Sequence, residues 1–166
     1  MTRAFSDSDL CSRAWAAAAG VVDPEIPVLT IADLGVLRDV RVENGAVEVF
    51  ITPTYSGCPA MDMIAVEVGL ALEQAGFAAP KVTRVLSPAW TTDWITQEGR
   101  AKLECFGIAP PNGKTGRRAL FGQERVTCPR CGSPETSRIS EFGSTPCKAL
   151  YRCKACAEPF DYFKCI

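Results

Sequence analysis

The spacing of apolar positions along the chain changes period several times, and each change marks an element. From Ala46 to Thr52, Val47, Val49 and Ile51 alternate with Glu48, Phe50 and Thr52, the two-residue period of a half-buried strand. Just before it, Asn44-Gly45 is a strong two-residue hairpin signal. Pairing Glu43 with Ala46 sets Val42 opposite Val47, Val40 opposite Val49 and Arg41 opposite Glu48. One face of this hairpin is then apolar, and the other carries a cross-strand ion pair.

From Ala60 to Phe77 the period becomes helical, gathering Met61, Ile64, Val68, Ala71, Leu72 and Ala75 on one face to cover the sheet. Val66 and Leu70 fall on the other side and need a second surface, either the first helix or a partner subunit. That first helix is capped by Ser6-Asp7-Ser8-Asp9, runs from Leu10 to Ala19 and ends at Gly20. Gly76 closes the later helix, and Lys81 to Leu86 reads as a third strand stopped by Ser87-Pro88. The order α-β-β-α-β predicts a small two-layer α+β domain with its helices on one sheet face. A further helix follows Trp90-Thr91-Thr92-Asp93-Trp94, extends through Glu104 and stops at Gly107; both tryptophans are expected in the core.

Asp23-Pro24-Glu25-Ile26-Pro27-Val28 cannot be helical through its two prolines, and Ile31-Ala32-Asp33-Leu34-Gly35 closes it with a glycine turn. Its carboxylates read as turn and capping groups, with the alternative that Glu25 or Asp33 lines a site. Thr54-Tyr55-Ser56-Gly57-Cys58-Pro59 joins the strand to the helix. Proline suits the first helical position, which makes Cys58 the N-cap. A thiol there faces unpaired amides and the positive end of the helix dipole, so its thiolate is favoured and it becomes a candidate nucleophile or metal ligand. Against this stands ordinary packing, the commoner fate of a lone cysteine.

Composition narrows the chemistry. At 166 residues, 47% of them hydrophobic, the chain fits one ordinary domain and a small appendage. No apolar run approaches a membrane span and the first residues lack a signal peptide's apolar region, so a soluble, cytoplasmic protein is expected. Histidine is absent, which excludes Ser-His-Asp and Cys-His catalysis and histidine-containing metal sites, the usual di-iron bundle site among them. Residues 1–109 carry 8 basic and 14 acidic side chains, and residues 110–166 carry 10 and 5, so −6 faces +5. Four metal-bound thiolates would trim the second excess to about +3, leaving a weak nucleic-acid signal. No phosphate-binding loop or dinucleotide fingerprint occurs.

Nine cysteines in such a chain point to metal rather than disulfides. Cys128-Pro129-Arg130-Cys131 and Cys153-Lys154-Ala155-Cys156 are two CxxC knuckles separated by 21 residues. Brought together they make a closed tetrahedral cage, which predicts a structural zinc, with an iron–sulfur cluster as the alternative and free thiols as the bland reading. Strands over Thr136 to Phe142 and Ala149 to Arg152 connect the knuckles, covered by Phe160, Tyr162 and Phe163. Cys147 and Cys165 fall outside this set, and Cys11 and Cys105 read as ordinary helical residues. Ile108 to Gly122, rich in proline, glycine and basic residues, reads as a linker. The expected domains are 1–108 (α+β), 109–124 (linker) and 125–166 (zinc-ribbon-like).

Asp23-Pro24-Glu25-Ile26-Pro27, Asp33-Leu34-Gly35 and the Thr54 to Pro59 motif together resemble the SufT-type domain of iron–sulfur assembly factors. That resemblance implies a reactive Cys58, with Glu25, Asp33 and Thr54 in support. The Trp90 to Trp94 segment, Gly107 to Pro111, the knuckles, Phe142 to Cys153 and the terminal Phe163-Lys164-Cys165-Ile166 are similar to the D-subunit family of the bacterial phenylacetyl-CoA ring epoxidase. This second resemblance covers nearly the whole chain. It implies a component of aerobic phenylacetate degradation, not catalytic alone. Its partners would be the di-iron oxygenase subunit or the iron–sulfur flavoprotein reductase, and a homodimer stays open. The function implied is assembly or maintenance of an iron or iron–sulfur centre in one of them. Two alternatives stand beside it, an electron-transfer subunit holding its own cluster and a zinc-ribbon interaction module without chemistry.

Overall fold

The computed structural model describes residues 6–111 and 126–164, which form two compact units, Met1–Trp90 and Thr91–Ile166. The first has the α+β order expected. Helix α1 (Asp7–Ala19) starts in a capping box: the Asp9 amide donates to Ser6 Oγ at 3.2 Å, and Asp9 Oδ2 accepts from the Ser6 amide at 3.3 Å. It buries Ala14 and Ala18, whose small side chains let it lie close to the hairpin.

Strands β1 (Leu37–Glu43) and β2 (Ala46–Ile51) pair antiparallel in the expected register, Val42 to Val47 and Val40 to Val49. Asn44 and Gly45 both take positive φ, as this turn requires. Arg41 does face Glu48 across the strands, but the charges choose other partners. Arg41 Nε bonds Asp39 Oδ2 at 2.9 Å, while Glu48 takes Lys81 Nζ at 2.7 Å. The reason lies in β3 (Lys81–Arg84), which runs parallel to β2 and brings Lys81 beside Glu48. Helix α2 (Ala60–Gln74) is the crossover between β2 and β3, and it buries Met61, Ile64, Val68 and Leu72 against Val49 and Ile51 of the core.

The segment between α1 and β1 is better packed than its turn residues suggest. Ile26, Leu29, Ile31 and Leu34 are all buried, and Val22 and Thr30 form a short antiparallel bridge. Trp90 Nε1 donates to the Leu34 carbonyl at 2.8 Å, so the first tryptophan does belong to a core, whereas Trp94 is half-buried.

The second unit begins with a 3-10 turn, Thr92–Trp94, and helix α3 (Gln97–Phe106), capped by Thr96 Oγ1 and closed by Gly107 at φ +92°. The expected domain boundary at residue 108 is not where the units divide. Strand β4 (Ile108–Ala109), expected to open the linker, pairs parallel with β7 (Pro159–Phe163), and both its residues are buried. The rest of the expected linker, from residue 112 on, lies outside the described residues. The four-stranded sheet runs β4-β7-β6-β5, with β5 at Thr136–Ser140 and β6 at Lys148–Cys153. Tyr162 packs edge-on to Tyr151 with ring centres 5.5 Å apart, so the aromatic run expected to cover the strands is itself a strand.

Candidate functional site

Each unit carries one cluster of chemistry. In the second, Cys128 and Cys131 lie on a turn closed by Gly132 at φ +72°, whose amide bonds the Cys128 carbonyl at 2.9 Å. Cys153 ends β6, and Cys156 follows on a turn that uses Ala157 at φ +64°. Lys154 N donates to the Glu135 carbonyl at 2.8 Å, tying the second turn to the stretch after the first. All four sulfurs lie within 4.8 Å of one another, with Cys128 to Cys156 at 3.8 Å and Cys131 to Cys153 at 3.5 Å. Four sulfurs bonded at about 2.3 Å to one tetrahedral ion would stand about 3.8 Å apart, so the cage fits such an ion.

Its protonation says the same. The Cys156 and Ala155 amides hold Cys153 down at about 6. The Ser133 amide pulls on Cys131 too, but the sulfurs of Cys153, Cys156 and Cys128 prevail and push it up to about 12. Four thiolates this close need a cation between them. Cys147 is buried outside the cage, 3.0 Å from Thr145 Oγ1, and Cys11 Sγ donates to the Val40 carbonyl. Cys105 is exposed on α3 and Cys165 lies outside the described residues.

The first unit holds Cys58. It is not the N-cap: Pro59, with φ −69° and ψ −23°, takes that place, and α2 starts at Ala60. Gly57 at φ +85° turns the chain, the Cys58 amide donates to the Tyr55 carbonyl at 3.2 Å, and the Cys58 carbonyl accepts from Met61 N at 3.3 Å. The sulfur is half-buried. The expected favouring of its thiolate does not hold, because burial pushes the thiol above its ordinary 9.0 and the carboxylates of Glu25 and Asp23 push the same way. Hydrogen bonds from the Ala60 amide and the Tyr55 side chain pull against them and lose.

The loop thus brings two acids to the sulfur. Asp23 is buried and rigid, its Oδ1 accepting from the amides of Glu25 and Ile26 at 2.8 Å each. Glu25 is half-buried beside it. Asp33 caps its own turn, accepting from Thr30 N at 2.9 Å while its amide donates to Thr30 Oγ1 at 3.0 Å. Thr54 is half-buried in the turn ahead of Cys58. Asp23 and Tyr55 were not singled out from sequence, although both stand inside the motifs that were. A half-buried sulfur with two carboxylates and an amide donor is a mixed soft and hard donor set, suited to a cation in the borderline range.

Known proteins resemble the chain in both units. The family model for an iron-sulfur cluster assembly protein matches residues 12–86, and that for the PaaD zinc beta ribbon domain matches residues 112–164. Over 85 residues, half of this chain and 80% of the relative, it is 36% identical to an Fe-S protein maturation auxiliary factor of Porphyromonas gingivalis (strain ATCC BAA-308 / W83). The crystal structure of a domain of unknown function, DUF59, from Bacillus anthracis superposes with a TM-score of 0.55 at 25% identity, covering 58% of this chain and 93% of that one. The D component of the Escherichia coli (strain K12) protein set named "Putative 1,2-phenylacetyl-CoA epoxidase" is 51% identical over 152 residues, 92% of this chain and 91% of the relative. With that identity across nearly its whole length, the chain belongs to the PaaD family of phenylacetyl-CoA epoxidase components, joining an iron–sulfur assembly domain to a zinc-ribbon domain.

Proposed function

We propose that the protein is an accessory subunit of a phenylacetyl-CoA epoxidase system, serving the assembly or upkeep of an iron or iron–sulfur centre in a partner subunit. Iron is here the cargo. Cys58 would bind it transiently, with Glu25 and Asp23 adding negative charge beside the sulfur. The observation that carries this reading is the convergence of those two carboxylates on a half-buried thiol. Repulsion by the acids disfavours the bare thiolate, and an arriving cation reverses the sign of that effect. The sulfur is therefore protected as a thiol when unloaded and becomes a ligand when metal displaces its proton.

Cys128, Cys131, Cys153 and Cys156 would hold a zinc ion that organises the ribbon. Once bound, such an ion supplies structure rather than reactivity, since four protein ligands leave no open position. Replacing Cys58 by Ser tests the assignment in cells that make the whole epoxidase system. Iron and sulfide content of the purified iron–sulfur flavoprotein reductase is expected to fall several-fold while its polypeptide level holds. Equal content in the Cys58→Ser strain and wild type would overturn the carrier role. The electron-transfer alternative predicts instead a brown protein whose visible absorption vanishes when Cys131 is replaced.

A further inference from the structure

Helix α2 carries more apolar surface than its sheet uses. Beyond the buried stripe, Met63, Val66 and Leu70 remain 53%, 57% and 45% exposed, although α1 packs beside α2. Val22, across from them, is 50% exposed. Single exposed apolar residues are ordinary, but these line or border one groove of about 710 Å³ between α1 and α2. On α2 the groove is lined by Met63, Glu67, Leu70, Ala71 and Gln74, a single stripe at helical spacing. Ala17 and Gly20 at the end of α1 keep the facing wall low, so a backbone can approach closely.

Building on the maturation reading, we propose that this groove receives an amphipathic helical segment of a client protein bearing a lysine or arginine among its apolar residues. Charge selects the occupant. Glu67 is the charged side chain in the lining, it is exposed, and among the described residues no ion pair engages it, whereas Asp62 on the same helix is paired with Arg84. A second copy of this chain fits poorly, because a two-fold axis at the middle of the stripe would set Glu67 against Glu67. The groove is also continuous with the Cys58 site: Pro24 lines it, and its chain neighbours Asp23 and Glu25 are the acids that act on the sulfur. A helix seated there has apolar anchors at intervals of three and four residues and a cation over Glu67, and it ends beside the cargo.

A photo-crosslinking residue, p-benzoylphenylalanine, placed at Val66 of the full-length protein in cells making the epoxidase system tests this, with the same residue at the exposed hairpin position Glu43 as control. Mass spectrometry of the product is expected to find a peptide of another chain with apolar residues at helical spacing and a lysine or arginine. Glu67→Lys should cut the crosslink at least tenfold, Glu67→Gln less, and changing the client's basic residue to glutamate should restore it in Glu67→Lys. A crosslink to this same chain, a client peptide with no basic residue, a yield no higher than at Glu43, or indifference to Glu67→Lys would each overturn the proposal. Cys58→Ser should leave the crosslink at full strength, so a failure of metal handling and a failure of docking are read separately.

Discussion

A sulfur beside a helix start and two carboxylates is pulled both ways, and at Cys58 burial and the acids prevail. Alkylation by iodoacetamide, which reads the thiolate, should therefore rise with pH to a midpoint above 9.0. Glu25→Gln removes a negative neighbour, so the midpoint should move down toward that value. A midpoint below 9.0 in the wild type, or one that rises in the variant, would contradict the electrostatics described. This balance was illegible in the sequence for a specific reason. Placing Cys58 at the N-cap assumed that Pro59 was already the first helical residue, and the acids that matter come from a loop some 30 residues earlier in the chain. The motif located the residue; the environment that sets its chemistry is tertiary.

At the scale of elements, local chemistry was legible and nonlocal pairing was not. The Asn44-Gly45 turn and the alternation around it contain everything needed for the β1–β2 register, and the register is as expected. The ion pair drawn across it failed because Lys81 on β3 is a closer partner for Glu48, and no local pattern announces a parallel neighbour. Strand β4 has two residues, too few to show a period, and it reads as linker until β7 is beside it. The turn can be tested directly. Gly45 sits at φ +79° with open space where a Cβ would project, so Gly45→Ala adds backbone strain without a clash. It should cost about 1–2 kcal/mol, read as a lower urea midpoint for loss of the first unit's structure. An unchanged midpoint would mean that the hairpin contributes little to that unit.

For the molecule as a whole, two compact units carry two kinds of metal chemistry, one a closed cage and the other an open donor set. The knuckle spacing made the cage legible, because four thiolates two turns apart have few other uses. Stripping the cage metal should unfold its neighbourhood, since ion binding there is folding free energy. After a strong chelator, hydrogen exchange is expected to accelerate in β5, β6 and β7 while α2 and β2 keep their protection. Uniform loss across both units, or none in the ribbon, would contradict this division of labour. No helix among the described residues is long and apolar enough to cross a membrane, so these experiments need no lipid.

The central claim is that the Cys58 sulfur passes iron to a partner. Its most direct test is to load the purified protein anaerobically with ferrous iron and sulfide, remove excess, mix it with cluster-free flavoprotein reductase, and follow the return of the reductase's visible absorption. Wild type should restore the cluster, and Cys58→Ser should restore it at least tenfold more slowly with the cage metal still in place. Equal rates for the two proteins would contradict the account.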